Sequence, residues 1–349
     1  MNLTHRPTLT IDLGALVNNW RALNAMSSGG AAAVVKANAY GLGIVECAQA
    51  LSAAGANRFF VATMEEGCAL RACLGPDPWI GVLEGLSNVE AFDQHGLIPM
   101  INTVAQAQSW VGRDEIALHI DTGMNRLGLS HEDAVALLNS EMWTAPKTAL
   151  LMSHLSSSED PTASANTEQL RAFNNVCTIA SSRSFTRSLI NSSGHFLGPD
   201  FLDIGLSRPG LALYGGNPTP DFANPMQAVV SLTAPLVQVR TIEAGTPVGY
   251  GGTWVAERTT VVGVIALGYA DGWPRAASDN VVVRLGDRLC PQIGRVSMDT
   301  VMLDITDAAP LLHRIGETIQ VIGEDLPLER YAEGAGTLAY EILTGLSRR

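Results

Sequence analysis

Residues 31–54 read AAAVVKANAYGLGIVECAQALSAA, and this stretch holds a strand, a turn and a helix in immediate succession. The apolar run that ends at Lys36 is typical of a buried strand, and residues 44–54 carry the Ala-rich spacing of a helix that covers it. A buried strand followed by a covering helix is the repeating unit of α/β folds with a parallel sheet. The stretch therefore predicts an α/β fold.

The same unit recurs through residues 31–215. The candidate strands are 31–36, 58–63, 79–83, 99–102, 116–121, 150–154, 189–191 and 202–206. Eight such strands alternating with helices predict an N-terminal (β/α)8 barrel of the TIM type. A doubly wound open sheet shows the same alternation, so periodicity alone leaves it open.

The pattern changes after about residue 225. Runs rich in Val, Ile and Thr, separated by Gly, Pro and Asp, predict a mostly-β second domain closed by a helical tail over 328–346. The runs are 229–239, 259–267, 281–285, 291–305 and 318–322. Because Asn-Pro pairs at 217–218 and 224–225 mark a linker, the predicted domains are 1–226 and 227–349.

Composition excludes several classes of protein. With 46% hydrophobic and 16% charged residues among 349, the chain has the apolar content of a globular protein. The formal net charge of −12 disfavours binding to nucleic acid. Five scattered cysteines indicate neither a disulfide framework nor a metal site. We see no signal peptide and no apolar run of membrane-spanning length, so we expect a cytoplasmic protein without a membrane partner.

Lys36 is the first candidate for chemistry. The chain has only two lysines, Lys36 and Lys147, and Lys36 stands at the carboxyl end of the first predicted strand. This is the face on which barrel enzymes place their active sites. Apolar neighbours disfavour the charged amine, and a neutral amine can form a Schiff base with a carbonyl. A structural lysine paired with a carboxylate is the alternative.

Two later turns have the composition of a phosphate site. Residues 191–194 (NSSG) follow the seventh predicted strand and residues 208–214 (RPGLALY) follow the eighth. The loops after these strands often hold phosphate through exposed backbone N–H groups. Neither turn is specific alone, but a Schiff-base lysine beside a phosphate site is what pyridoxal phosphate requires.

At this point the chain resembles the alanine racemases, pyridoxal-phosphate enzymes of fold type III. The motif VKANAYGLG at 35–43 is similar to the family's cofactor-lysine motif. Further similar motifs follow in order: DTGMNRLG (121–128), NS (191–192), RPGLALYG (208–215), GYG (249–251), GYADG (268–272), GRVSMD (294–299) and AYEIL (339–343). The resemblance extends over residues 8–348.

The resemblance implies a role for each matched residue. Lys36 would bind pyridoxal 5'-phosphate and act as a base on one face of the substrate α-carbon, with Tyr250 of the partner subunit on the other. The phosphate would be held by Tyr40, Ser192, Gly210, Leu211 and Tyr340. His154 and Arg208 would lie at the cofactor ring, Arg126 would bind the substrate carboxylate, and Met298 and Tyr269 from the partner would line the entrance.

The implied activity is interconversion of L- and D-alanine in a homodimer with shared active sites, supplying D-alanine for cell-wall peptidoglycan. Arg208 fits this activity because a permanent cation opposes protonation of a neighbouring pyridine nitrogen, which weakens the ring as an electron sink. Two bases on opposite faces can remove the α-proton from either enantiomer.

Two positions depart from the family pattern. Many members have a lysine, modified to a carbamate, where this chain has His119, and a glycine where it has Asn125. Both changes concern the placement of Arg126. Two alternatives to a racemase are a related barrel decarboxylase, whose acidic substrate-binding pattern we do not find, and a non-catalytic pyridoxal-phosphate protein, which would lack the second domain.

Overall fold

The computed structural model describes residues 6–308 and 315–346. The chain divides into two compact units, one of residues 13–227 and the other combining Met1–Asp12 with Ala228–Arg349. The N-terminal segment belongs to the second unit because strand β1 (Thr8–Ile11) pairs antiparallel with strand β9 (Val230–Ile242). The predicted first domain, 1–226, had included this strand. Within the described residues, no helix is long and apolar enough to cross a membrane.

The first unit is built on a parallel sheet whose strands lie in chain order. Its strands are β2 (Ala33–Val34), β3 (Arg58–Val61), β4 (Trp79–Val82), β5 (Ile98–Ile101), β6 (Glu115–His119), β7 (Thr148–Met152) and β8 (Thr186–Ser188). The α-helices are Leu13–Met26, Ile44–Ala53, Met64–Leu74, Val89–His95, Val104–Ser109, His131–Leu138, Glu141–Thr144, Ser164–Ile179 and Pro199–Leu202. The strands are almost wholly buried, as expected of a parallel sheet covered by helices.

The barrel is closed by residues 206–209 rather than by the predicted strand at 202–206. Ser207 bridges Ala31 in parallel, and the Leu206 N–H donates to Arg187 O at 2.9 Å, so this segment connects the last strand to the first. The preceding residues end a helix at Leu202 and pass through Gly205 at a φ of +120°, which excludes extended pairing there. The predicted barrel, not the open sheet, is therefore confirmed.

Helix starts follow the strand ends closely because the connecting residues are good caps. Thr63, Asn88, Thr103 and Ser130 each accept a hydrogen bond from the backbone N–H three residues later. Short capped loops fix the direction in which each strand end points. This places the side chains that follow the strands on a common face of the barrel.

The second unit contains an antiparallel seven-stranded sheet and a separate two-stranded ribbon. The ribbon is formed by β10 (Pro247–Val248) and β11 (Trp254–Val255). Besides β1 and β9, the sheet contains β12 (Thr260–Ile265), β13 (Val282–Leu285), β14 (Arg288–Pro291), β15 (Val301–Asp304) and β16 (Thr318–Ile322). Its order is β14–β13–β16–β9–β12–β15, and β1 also pairs with β9. The predicted helical tail forms two helices, Leu328–Gly334 and Ala339–Gly345. The mostly-β character predicted for this part of the chain is confirmed.

Candidate active site

Lys36 lies directly beyond β2, at the start of an unusual turn. Residues 37–40 all have φ between 53° and 56°, although none is glycine. Such left-handed conformations are strained in side-chain-bearing residues and concentrate at functional sites. The turn is closed by Ala39 N–H donating to Val35 O and Gly41 N–H donating to Ala37 O, both at 2.8 Å.

The environment of Lys36 favours its neutral form. Burial lowers the pKa of the Lys36 amine below its ordinary value, and the positive charge of Arg126 lowers it further, with a smaller effect from Arg208. The carboxylate of Glu66 acts in the opposite direction. Because the lowering influences dominate, more of the amine is unprotonated and nucleophilic at neutral pH than in an exposed lysine.

Arg208 is buried, with 5% of its surface exposed, and its guanidinium is held by neutral groups. It donates to Ser188 Oγ at 2.5 Å and to the Ser153 carbonyl at 2.6 Å, and it lies over the Phe60 ring. Burial lowers the pKa of Arg208 to about 10, so it remains protonated at neutral pH. Among the described residues, no carboxylate forms an ion pair with it.

His154 follows β7 and lies beside this cation, with its Nδ1 3.4 Å from Arg208 Nη2. Burial lowers the pKa of His154 to about 3, with the charge of Arg208 as the next cause. A second positive charge so near an arginine is unfavourable. The imidazole is therefore neutral at neutral pH and can accept a hydrogen bond from the guanidinium.

The two turns predicted to bind phosphate come together. Ser192 Oγ accepts hydrogen bonds from the Gly210 N–H at 3.0 Å and the Ala212 N–H at 3.1 Å, and Leu211 is buried at the start of the 3-10 turn Leu211–Tyr214. A Cβ atom at position 210 would overlap the hydroxyl of Tyr40. Hydroxyls and backbone N–H groups converging around a glycine form a cradle whose chemistry fits a phosphate.

Arg126 lies on a loop that a single carboxylate organises. Asp121 Oδ1 accepts hydrogen bonds from the N–H groups of residues 123, 124 and 125 at 2.9–3.1 Å. Asn125 has a φ of 55°, which explains why a glycine or an asparagine suits this position. Arg126 itself is exposed, and its charge reaches Lys36, His119 and His154.

The remaining predicted residues belong to the second unit. Tyr250 begins the 3-10 turn Tyr250–Gly252 in the β10–β11 ribbon and is 66% exposed. Tyr269 and Met298 lie side by side, since the N–H groups of Tyr269 and Ala270 donate to Ser297 O and Met298 O at 3.0 Å. Both side chains are also exposed, while Tyr340 is half-buried on the helix Ala339–Gly345.

Comparison with known proteins identifies the family. The family model described as alanine racemase, N-terminal domain, matches residues 11–218, and the model of the C-terminal domain matches residues 229–349. The chain belongs to the alanine racemase family. The alanine racemase of Acidiphilium cryptum is 44% identical, with 99% of this chain and 98% of the relative covered, and that of Rhizobium meliloti is 43% identical, with 98% and 94% covered.

Solved structures of alanine racemases agree with this assignment. The structure from Bartonella henselae, which has covalently bound pyridoxal phosphate, matches with a TM-score of 0.92 at 36% identity and covers 98% of this chain and 97% of its own. The biosynthetic alanine racemase of Pseudomonas aeruginosa matches with a TM-score of 0.89 at 31% identity, covering 99% and 98%. The fold predicted from the sequence is that of these alanine racemases.

His119 stands where the resemblance led us to expect a lysine, and the structure shows what its imidazole does. Nδ1 lies 2.8 Å from Asn102 Oδ1, while the amide nitrogen of Asn102 donates to two backbone carbonyls. Asn102 Oδ1 is therefore the acceptor, and His119 donates from Nδ1. Burial lowers the pKa of His119 to about 4, with Arg208 and then Arg126 as further causes. The position holds a neutral group rather than an anion.

Sequence reasoning missed Gln169, a buried residue of the helix Ser164–Ile179. Its amide nitrogen donates to His154 O at 2.9 Å and to Thr122 Oγ1 at 3.3 Å, and its amide oxygen accepts from the Ser156 N–H at 2.8 Å. Gln169 thus connects the loops that carry His154 and Arg126. A glutamine on an otherwise amphipathic helix gives no signal of this role.

Proposed function

We propose that the protein interconverts L- and D-alanine, with pyridoxal 5'-phosphate as its resident cofactor. Two observations together support the proposal. The pKa of the Lys36 amine is lowered, and the guanidinium of Arg208, whose charge acts on that amine, is buried with neutral hydrogen-bond partners. Pyridoxal phosphate supplies, when bound, an electron sink that acidifies the α-proton of an amino acid. Lys36 would attach it covalently, and Tyr40, Ser192, Gly210, Leu211 and Tyr340 would hold its phosphate.

Arg208 would restrict the reaction to proton transfer. It remains protonated and is held rigidly by Ser188 and Ser153, so it would place a permanent positive charge at the cofactor ring. This charge opposes protonation of the ring and limits electron withdrawal from the α-carbon. Rapid return of the proton to that carbon favours racemisation over transamination or loss of carbon dioxide.

Lys36 would take and return the α-proton on one face of the substrate. We propose Tyr250 of the partner subunit as the base on the other face, which makes the active protein a homodimer with shared sites. The exposed position of the tyrosine on a glycine-rich turn supports this, because the side chain is available to a second copy. Arg126 would bind the substrate carboxylate, with Met298 and Tyr269 of the partner subunit at the entrance. D-alanine formed in this way would supply cell-wall peptidoglycan.

Incubation with L-alanine in deuterated water tests the reaction. We expect D-alanine to accumulate and the α-position to acquire deuterium, and neither should occur with Lys36→Ala. Release of carbon dioxide would instead indicate a decarboxylase. No change in the amino acid would indicate a non-catalytic binding protein.

Mixing two inactive variants tests the shared site. In a two-fold dimer of Lys36→Ala and Tyr250→Phe subunits, one of the two sites regains both bases. Random reassortment should therefore restore about one quarter of the wild-type activity. If Tyr250 acted within its own subunit, no activity would return on mixing. Lys36→Ala mixed with itself is the control.

A further inference from the structure

The strained turn after Lys36 is held by a side chain from a neighbouring element, Glu66. Its Oε1 accepts a hydrogen bond of 2.6 Å from the Ala37 N–H, the first amide after the lysine. The two carboxylate oxygens have different partners, since Oε2 accepts from the Ala62 N–H at 2.8 Å. One side chain thus connects the end of β3 to the turn that carries Lys36.

Glu66 is itself fixed in place. It stands in the first turn of the helix Met64–Leu74, where it forms a capping box with Thr63: Thr63 Oγ1 accepts from the Glu66 N–H at 3.3 Å. A carboxylate held at a helix start in this way has little rotational freedom. Its bond to Ala37 is therefore a constraint on the turn.

The turn needs such a constraint. Ala37, Asn38, Ala39 and Tyr40 all adopt a backbone conformation that side-chain-bearing residues avoid, and strained segments persist only where the surroundings determine them. The charge of the Glu66 carboxylate is a second connection between this residue and Lys36. Of the charged groups that act on the Lys36 amine, Arg126 and Arg208 are positive and Glu66 is negative.

We propose that Glu66 is the positioning residue of Lys36: its carboxylate maintains the left-handed turn and partly balances the two arginines around the amine. This inference rests on the proposed function of Lys36 and extends it. Glu66 contacts backbone N–H groups rather than the reacting atoms, so its effect on activity would pass through the lysine.

The two lysines of the chain make a direct test possible. The full-length chain, freed of bound cofactor with hydroxylamine, is labelled with formaldehyde and cyanoborohydride between pH 6 and 10, and the rates at Lys36 and Lys147 are measured by peptide mass spectrometry. Lys147 is exposed and pairs with Asp114, so it serves as an internal reference.

We expect Glu66→Gln to shift the pH midpoint of Lys36 labelling downward by about one pH unit, because loss of a nearby negative charge favours the neutral amine. Lys147 should keep its wild-type profile. Glu65→Gln is the matched control, since Glu65 is the exposed neighbour in the same helical turn. An unchanged Lys36 profile in Glu66→Gln would overturn the proposal.

A second measurement tests the role in geometry. Pyridoxal phosphate is added to each variant and trapped with borohydride, and its distribution between Lys36 and Lys147 is counted. Glu66→Ala should lower the Lys36 share at least tenfold, and Ala37→Gly in that background should raise it again, because glycine adopts left-handed conformations without strain. A Lys36 share equal to wild type in Glu66→Ala would refute the positioning role. Both labelling tests are read without racemase activity, so absence of that activity in wild type would count against the proposed function alone.

Discussion

The neutral state of His119 leads to a prediction about acid stability. The imidazole is 6% exposed, and its pKa is lowered from 6.5 to about 4. Because the folded-state value lies below the unfolded one, the unfolded chain takes up the proton first as the pH falls. The free energy of unfolding therefore decreases progressively as the pH falls from 6.5 to about 4. At 1.36 kcal/mol per pH unit, the total loss in the free energy of unfolding is about 3 kcal/mol.

Replacement of His119 by Asn removes the titrating group and keeps an N–H donor for Asn102. Between pH 7 and pH 5, the stability of wild type should fall by about 2 kcal/mol more than that of His119→Asn. Urea unfolding at several pH values measures this difference, with the exposed His131 replaced by Gln as the control. If His119→Asn and wild type differed in the free energy of unfolding by the same amount at pH 7 and pH 5, a neutral buried imidazole would be refuted. An NMR titration of His119 with a midpoint near pH 6.5 would refute it as well.

Three further substitutions test individual contacts. Gly210→Ala should weaken binding of pyridoxal phosphate at least tenfold, measured by absorbance titration, because the added Cβ overlaps the Tyr40 hydroxyl. Gln169→Leu should lower kcat/KM for alanine about tenfold by releasing the loops that carry His154 and Arg126. Asn166→Leu on the same helix, whose side-chain amide donates to the carbonyls of residues 157 and 160, should change it much less. Arg71→Ala should lower the free energy of urea unfolding by about 2 kcal/mol, because its guanidinium donates to five backbone carbonyls.

The first six predicted strands end within two residues of the observed ones, but the seventh, predicted at 189–191, lies at Thr186–Ser188, and the eighth, predicted at 202–206, was wrong. In a parallel barrel, the side chains after the strands share one face, so Lys36, Ser192 and Arg208 could be grouped without knowledge of their contacts. In the structure, the Gly210 N–H donates to Ser192 Oγ, so the turns that contain Ser192 and Arg208 are in contact. Periodicity alone did not separate a barrel from an open sheet, since closure depends on the long-range bridge from Ser207 to Ala31.

Other features depend on tertiary contacts that leave no local pattern. The left-handed turn at residues 37–40 contains no glycine, so its sequence does not predict it. Its first N–H donates to Glu66, which is distant in the sequence. The neutral state of His119 depends on its burial and then on the charges of Arg208 and Arg126, while Asn102 bonds its Nδ1. The short strand Thr8–Ile11 carries too few apolar residues to be recognised before its partner β9 is known.

Within the barrel unit, two cations, Arg126 and Arg208, and one carboxylate, Glu66, act on the amine of Lys36. His119 and His154 are poor proton acceptors because burial and the arginines lower their pKa values to about 4 and about 3. Burial also raises the pKa of Tyr214, whose hydroxyl donates to Val34 O at 3.0 Å.

Tyr40, the other tyrosine of this unit, places its hydroxyl against Gly210 in the phosphate cradle. We propose Lys36 as the group of this unit that takes a proton from the α-carbon. The racemisation that we propose uses a second base on the opposite face of the α-carbon. Tyr250, which is exposed, is the residue that we propose for this role. The two arginines that act on Lys36 would attract the phosphate and the substrate carboxylate of the proposed reaction.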